Sequence, residues 1–231
     1  MPLFDVLLLI VLAGVAYWVA GEGFCGAAAS LLAALFAGLA AMNFFEPLAE
    51  LLEQRLPAGS RWAHAADVVA LVGLFVAGIA LFRTLGGRAV RDSVHAHPLI
   101  EELGRWTCGA ATGYVAVAFL LTALHTAPLP REFLGFEPER KNLFGIAAPD
   151  RQWLGFTQYV SEHVFPTGIM VPDGRGGEVR AKRMFDGSPR VAPGGAIEYR
   201  SSFPMRYAHR RAVLEDGLPP DGPPAGDDED Q

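Results

Sequence analysis

Apolar positions crowd the first half of the chain and thin out in the second. Four long apolar stretches follow one another: 3–20, which contains one charge, Asp5; 24–45, which contains none; 65–83, which contains Asp67 near its start and Arg83 at its end; and 105–125, where Arg105 opens the run. A helix needs about 20 mostly apolar residues to cross the hydrocarbon core of a bilayer. None of these runs alternates as a barrel strand does, and in lipid only helices or closed barrels satisfy the backbone. The pattern predicts an all-α membrane protein with four transmembrane helices in a bundle (1–125), followed by a partly disordered soluble tail with one amphipathic helix. The first stretch has no basic segment before it, and Trp18 occupies the −3 position for a cut after Ala20. It is therefore expected to be retained as a span rather than removed as a leader.

The connections set the topology. Gly21-Glu22-Gly23 is so short that the first two helices must form an antiparallel hairpin. Between the second and third spans, Leu48, Leu51, Leu52 and Leu56 recur at helical spacing among Pro47, Pro57 and Gly59, which predicts a separate short helix at the membrane surface. The loop between the third and fourth spans carries Arg83, Arg88, Arg91 and Arg105. The positive-inside rule places that loop in the cytoplasm, so both termini are expected outside.

Small residues mark where helices can approach. Gly26, Ser30, Ala34 and Gly38 recur every four residues on the second span, and Gly104, Cys108, Thr112 and Ala116 on the fourth, with Gly109 and Gly113 alongside. In lipid, where no hydrophobic drive separates helix from solvent, such rows promote close packing. They predict that the second and fourth spans form the centre of the bundle or an oligomer contact.

Beyond residue 125 the composition changes. Residues 1–129 hold 6 of the 19 basic and 9 of the 25 acidic side chains. Residues 126–148 read as an irregular linker. Residues 149–166 read as an amphipathic helix capped by Asp150, with Trp153, Phe156, Val160 and Val164 on one face, lying against the bundle or the lipid surface or serving a small domain. Residues 167–213 form a basic Gly/Pro-rich segment with faint strand alternation at Val179, Ala181, Ile197 and Tyr199. It is expected to be solvated and loosely ordered, with contact to anionic head groups as the second reading. Residues 214–231 contain seven acidic residues and four prolines but no Lys or Arg, a composition that predicts disorder.

Candidate chemistry is sparse. A carboxylate inside a span is costly and commonly functional. Asp5 and Asp67 begin their spans at one membrane face, where they can cap or anchor their helices, or share a proton or cation. Asp92, His95 and His97 form a short potential metal-binding cluster, with no further strong ligand evident nearby. His64, His125 and His163 look isolated and interfacial. Cys25 and Cys108 lie within spans as packing residues and exclude a disulfide framework. No phosphate-binding loop, nucleotide fingerprint, zinc-protease motif or nucleophile elbow occurs. The net charge of −6 and the acidic end argue against nucleic acid. No enzyme, cofactor or metal site is expected; the partners expected are the bilayer, a membrane or envelope protein, and a second copy of the chain.

The leader Met1-Pro-Leu-Phe-Asp5-Val-Leu-Leu-Leu-Ile, Gly14 with Gly21, Gly23 and Gly26, and the helix start Leu103-Gly104-Arg-Trp-Thr-Cys-Gly109-Ala-Ala-Thr-Gly113 together resemble the colicin V production protein (CvpA) family over residues 1–125. The resemblance implies a bacterial inner-membrane protein serving toxin production or export and envelope homeostasis, without a catalytic reaction. Some relatives carry a serine protease domain after the helices on the outer face. The tail here lacks the Gly-x-Ser-Gly-Gly segment of such a domain. The leading expectation is a non-enzymatic accessory or scaffold factor. A small oligomeric channel or proton-coupled transporter, and a binding module merely tethered by the helices, are the rivals.

Overall fold

In a computed structural model, the described residues are 2–55, 65–89, 97–127, 136, 142–164, 167–173, 176–183, 185, 187–192, 194–201, 203 and 207. Four long helices, α1 (Pro2–Ala20), α2 (Gly23–Glu53), α3 (Ala66–Ala89) and α4 (Pro98–Thr126), are followed by α5 (Pro149–Tyr159). All four long helices are long and apolar enough to cross a membrane. A π-helical segment, Val160–Val164, extends α5. Four strands follow: β1 (Thr167–Pro172), β2 (Glu178–Arg183), β3 (Gly187–Val191) and β4 (Ile197–Ser201).

α2 is longer than the hydropathy predicts. It runs through Pro47 to Glu53, so the leucine-rich stretch expected to form a separate surface helix continues α2 instead. Proline removes one backbone donor, and the remaining Leu- and Glu-rich sequence propagates a turn already formed. Residues 56–64 lie outside the described residues. α3 likewise continues past Arg83 to Ala89, and α4 begins seven residues before its apolar run, at Pro98. Pro98 is favourable in a first turn because its missing N–H would have no partner there, and His97 Nδ1 accepts from the Leu99 N–H at 3.4 Å. His97 thus serves as a cap; Asp92 and His95 lie outside the described residues.

The helices pack as pairs around a central contact. α2 packs closely with α3, α1 with α4, and α2 with α4. The larger core joins α2, α3, α4 and the tail through Ala37, Phe45, Leu71, Phe75, Phe119, Trp153 and Phe203, among others. A second core holds α1 to the end of α4 through Phe4, Leu8, Val117, Leu121 and Phe136. Many large apolar side chains point outward along the spans, including Leu3, Ile10, Leu32, Phe36, Val69, Val76 and Leu81. On a bundle in lipid that is the expected arrangement.

The basic Gly/Pro-rich segment is not loosely ordered throughout. β1 pairs antiparallel with β2, from Thr167 opposite Arg183 to Pro172 opposite Glu178, and β3 with β4, from Gly187 opposite Ser201 to Val191 opposite Ile197. Gly176 and Gly195 supply positive φ in the two connections, where a Cβ would be strained. The Lys182 N–H donates to the Tyr199 hydroxyl at 2.9 Å, tying the hairpins together, and the Phe185 N–H donates to Ser161 Oγ at 2.9 Å, tying them to the π segment. Residues 214–231, expected to be disordered, lie outside the described residues.

Candidate functional site

Helix alternation puts the α1–α2 turn, the end of α3 and the start of α4 at one end of the bundle. The start of α1, the end of α2, the start of α3 and the end of α4 lie at the other, with the tail. Each end carries a polar cluster.

At the turn end, Glu22 precedes α2 without a side-chain cap of its own. Its carboxylate instead folds along α2. Ser30 Oγ donates to Glu22 Oε2 at 2.8 Å, Arg83 donates to Ser30 Oγ at 3.1 Å, and Arg83 forms an ion pair with Glu22 Oε1. Gly26 makes this possible, since a Cβ there would stand 2.7 Å from the Glu22 Cβ. From α4, Glu101 Oε1 accepts from the Phe24 N–H at 2.8 Å. A carboxylate on an orphan first-turn amide is favourable for both hydrogen bonding and the helix dipole. Here it comes from a helix 77 residues away in sequence. Glu101→Ala is expected to lower stability by about 0.5–2 kcal/mol, the usual cost of losing an N-cap acceptor, as read from detergent unfolding by circular dichroism; Glu101→Gln should retain much of it.

At the tail end, α4 finishes with buried Thr122, His125 and Thr126. Both threonines turn their hydroxyls onto their own helix: Thr122 Oγ1 donates to Ala118 O at 2.9 Å and Thr126 Oγ1 to Ala123 O at 2.8 Å. His125 reaches across instead. Its Nε2 meets Asp150 Oδ2 at 2.9 Å, and both side chains are fully buried. Phe136 lies edge-on to the imidazole at 5.6 Å and Phe203 is tilted against it at 6.3 Å; Phe203 in turn contacts Phe45, Phe185 and Tyr207. Two expectations are corrected here. His125 is not isolated but buried and partnered, and Asp150 does not cap its helix, whose N-cap is Ala148. Burial explains both, because a carboxylate and an imidazole out of water satisfy each other better than either satisfies a lone amide.

Three residues further on, Trp153 fills a notch in α2. A Cβ on Gly38 would lie 2.4 Å from the Trp153 ring. The indole is edge-on to Phe119 at 6.0 Å, and Phe119 stacks on Phe75 at 3.9 Å. Tyr114 donates to Gln152 alongside. Of the predicted apolar face, Trp153 is buried, Val160 half-buried and Phe156 and Val164 exposed, while Leu154 and Thr157 are buried with Trp153.

The remaining small residues divide by partner. Gly104 admits the Phe24 ring, from which a Cβ would stand only 2.4 Å, and Ala34 is buried on α2. Gly109 and Gly113 face α1, not α2: a Cβ would stand 2.6 Å from the Ala16 carbonyl oxygen and 2.5 Å from that of Leu12. Gly78 of α3, 2.9 Å from the Ala37 Cβ by the same measure, serves the α2–α3 contact; no four-residue row surrounds it, so spacing does not announce it. Cys25 and Cys108 are free and half-buried. Asp5 is half-buried in the first turn of α1, and Asp67 is buried in the first turn of α3. Their helices belong to different pairs, α1 with α4 and α3 with α2. His163 stacks on Tyr159 at 4.6 Å, and His64 lies outside the described residues.

The colicin V production protein family model matches residues 4–138, and the chain belongs to that family. No curated protein and no solved structure matches it. The match covers the four long helices and stops before α5. His125 therefore lies within the family region, while its partner Asp150 and the wedge Trp153 lie beyond it.

Proposed function

We propose that this multi-pass membrane protein is a non-enzymatic accessory or scaffold factor of the inner membrane, serving the production or export of a colicin V-type toxin and envelope homeostasis. Both termini lie on the extracytoplasmic side, and the working partner is another membrane or envelope protein. The observation that carries this reading is the union of tail and bundle. Asp150 on His125 and Trp153 in the Gly38 notch make the family helices and the extension beyond them one body. A tethered module needs no such joint, because a passive anchor only has to cross the membrane. The hydroxyls beside the His–Asp pair are engaged with their own helix, and aromatic rings close over it. That environment favours a joint over a reaction centre.

The test is complementation. In a colicin V-type producer lacking its own copy, the full chain is expected to restore exported toxin. Removing residues 127–231, or exchanging residues 1–126 for four unrelated helices, should each abolish export. Restoration by the tail on unrelated helices would reduce the bundle to an anchor. A hydrolase activity of the purified protein that depends on a tail residue would overturn the non-enzymatic reading. A reporter fused after Gln231 that is active only outside the cytoplasm checks the orientation.

A further inference from the structure

Just before α5 the chain makes a tight turn with an unusual display. Leu143 and Ala147 form an isolated antiparallel bridge, and the Ile146 N–H donates to Leu143 O at 2.9 Å. Between them, Phe144 has φ +50° and Gly145 φ +70°. Glycine is at ease there. Phenylalanine is not, and Asn, Asp or Gly usually occupies such a position. Among the described residues Phe144 is the one non-glycine with positive φ. Phe144 is 47% exposed, and Ile146 beside it is 81% exposed. A strained aromatic and a bare isoleucine at a turn tip cost free energy in water, and strain of this kind collects at functional positions.

The base of the turn locates it. Leu143 packs against the cluster of Phe4, Leu8, Val117, Leu121 and Phe136. Val117 and Leu121 precede the end of α4 at Thr126 by nine and five residues, about 14 and 8 Å at 1.5 Å per residue. Leu8 is six residues into α1, about 9 Å by the same measure. The turn thus packs on the α1–α4 seam, whose cluster runs from these residues to Phe4 and Leu124 at the tail-side ends of the two helices. Leu3, Leu7 and Ile10 of α1 are exposed as well, as expected of a helix that meets lipid.

We propose that the Phe144–Gly145–Ile146 turn is a membrane-insertion loop, whose two apolar side chains enter the acyl chains of the leaflet on the tail side. The occupant is lipid hydrocarbon. Leu143 holds the base of the turn on the bundle, while the exposed backbone at Gly145 stays at head-group level, where water satisfies it, and only the side chains pass deeper. The apolar tip reaches the boundary between head groups and acyl chains, the depth at which interfacial anchors act. The loop also fixes the entry of α5, because Asp150 follows Ile146 by only four residues. It makes the expected irregular linker a fifth point of contact with the bilayer.

Two measurements test this on the full chain in vesicles of phosphatidylethanolamine and phosphatidylglycerol. The first uses the unaltered protein and lipids carrying a photoactivatable carbene precursor on the acyl chain. Trypsin cuts after Lys141 and Arg151, which isolates the turn in the peptide Asn142–Arg151. Lipid adducts on Phe144 or Ile146 are expected; adducts on the spans with none on this peptide overturn the proposal. The second places a spin label at Ile146→Cys, with Cys25 and Cys108 changed to Ala, and compares collisions with oxygen and with a water-soluble nickel chelate. The oxygen preference should be severalfold higher than at Ala196→Cys, an exposed position in the β3–β4 connection. Equal values at the two positions would place the tip in water or under another protein and overturn it.

Discussion

Asp150→Ala is expected to cost about 3–5 kcal/mol, the loss typical when one partner of a buried ionic or strongly hydrogen-bonded pair is removed. The deletion leaves His125 buried at the end of α4 beneath Phe136 and Phe203, where water cannot replace the carboxylate without opening the aromatic cover. Asp150→Asn should lose less, since an amide can still hydrogen-bond the imidazole. The informative variant is the double change His125→Leu with Asp150→Leu. Replacing a buried polar pair by apolar side chains of similar size is often neutral, so the double variant should recover most of what Asp150→Ala loses. Unfolding in a denaturing detergent, followed by circular dichroism, reads all four proteins. A loss below about 1 kcal/mol for Asp150→Ala, the scale of an exposed pair, would mean that the tail is not docked on α4 as described. The double variant also separates structure from function. A stable double variant that fails to support export would give the pair a role beyond holding α5.

The four spans are legible in sequence because their cause is local. Eighteen or more apolar residues in a row can be read without knowing what they touch. The family features are legible for the same reason, being an order of glycines and charges along residues 1–125. The His125–Asp150 pair depends on a fold-back across 25 residues, and no periodicity announces it. The sequence nevertheless carries a signal: a histidine beside two threonines at the end of a span is an ionisable group where such groups are expensive. That alone predicts a partner, though not which one. The Gly38 row shows a similar limit. Its four-residue spacing announces a thin helix face, while the occupant of the notch, Trp153, lies in the tail. The hairpins are half visible. In the first run Ala181 is buried but Val179 is exposed, and in the second Ile197 and Tyr199 are both half-buried; each run is short and flanked by glycine, and the decisive tie, Lys182 to Tyr199, is between hairpins. Glu101 capping α2 is invisible to any local rule, because capping signals are sought within a few residues of a helix start.

Gly109 and Gly113 provide the second large effect. A Cβ at either would stand within 2.6 Å of a carbonyl oxygen on α1. Those oxygens belong to backbone in mid-helix, so no side chain can rotate aside and α1 itself must shift. Each single change to Ala is expected to cost about 1–3 kcal/mol, the usual range for overpacking a close contact. Gly109→Leu with Gly113→Leu should expel α1 from α4 altogether and open the core of Phe4, Leu8, Val117 and Leu121. Gly14 and Gly73 are the controls. They lie within α1 and α3 with nothing within 4 Å of a Cβ, so Gly→Ala there should be neutral or stabilising, by up to about 1 kcal/mol of helix propensity. The contrast discriminates two uses of the glycine row. If Gly109 and Gly113 serve the α1–α4 contact, the alanine variants lose stability as monomers in detergent. If the row serves contact between two copies, the same variants keep monomer stability and lose self-association. The carbonyl oxygens of Leu12 and Ala16 already occupy the space above these glycines, which is why the first outcome is expected.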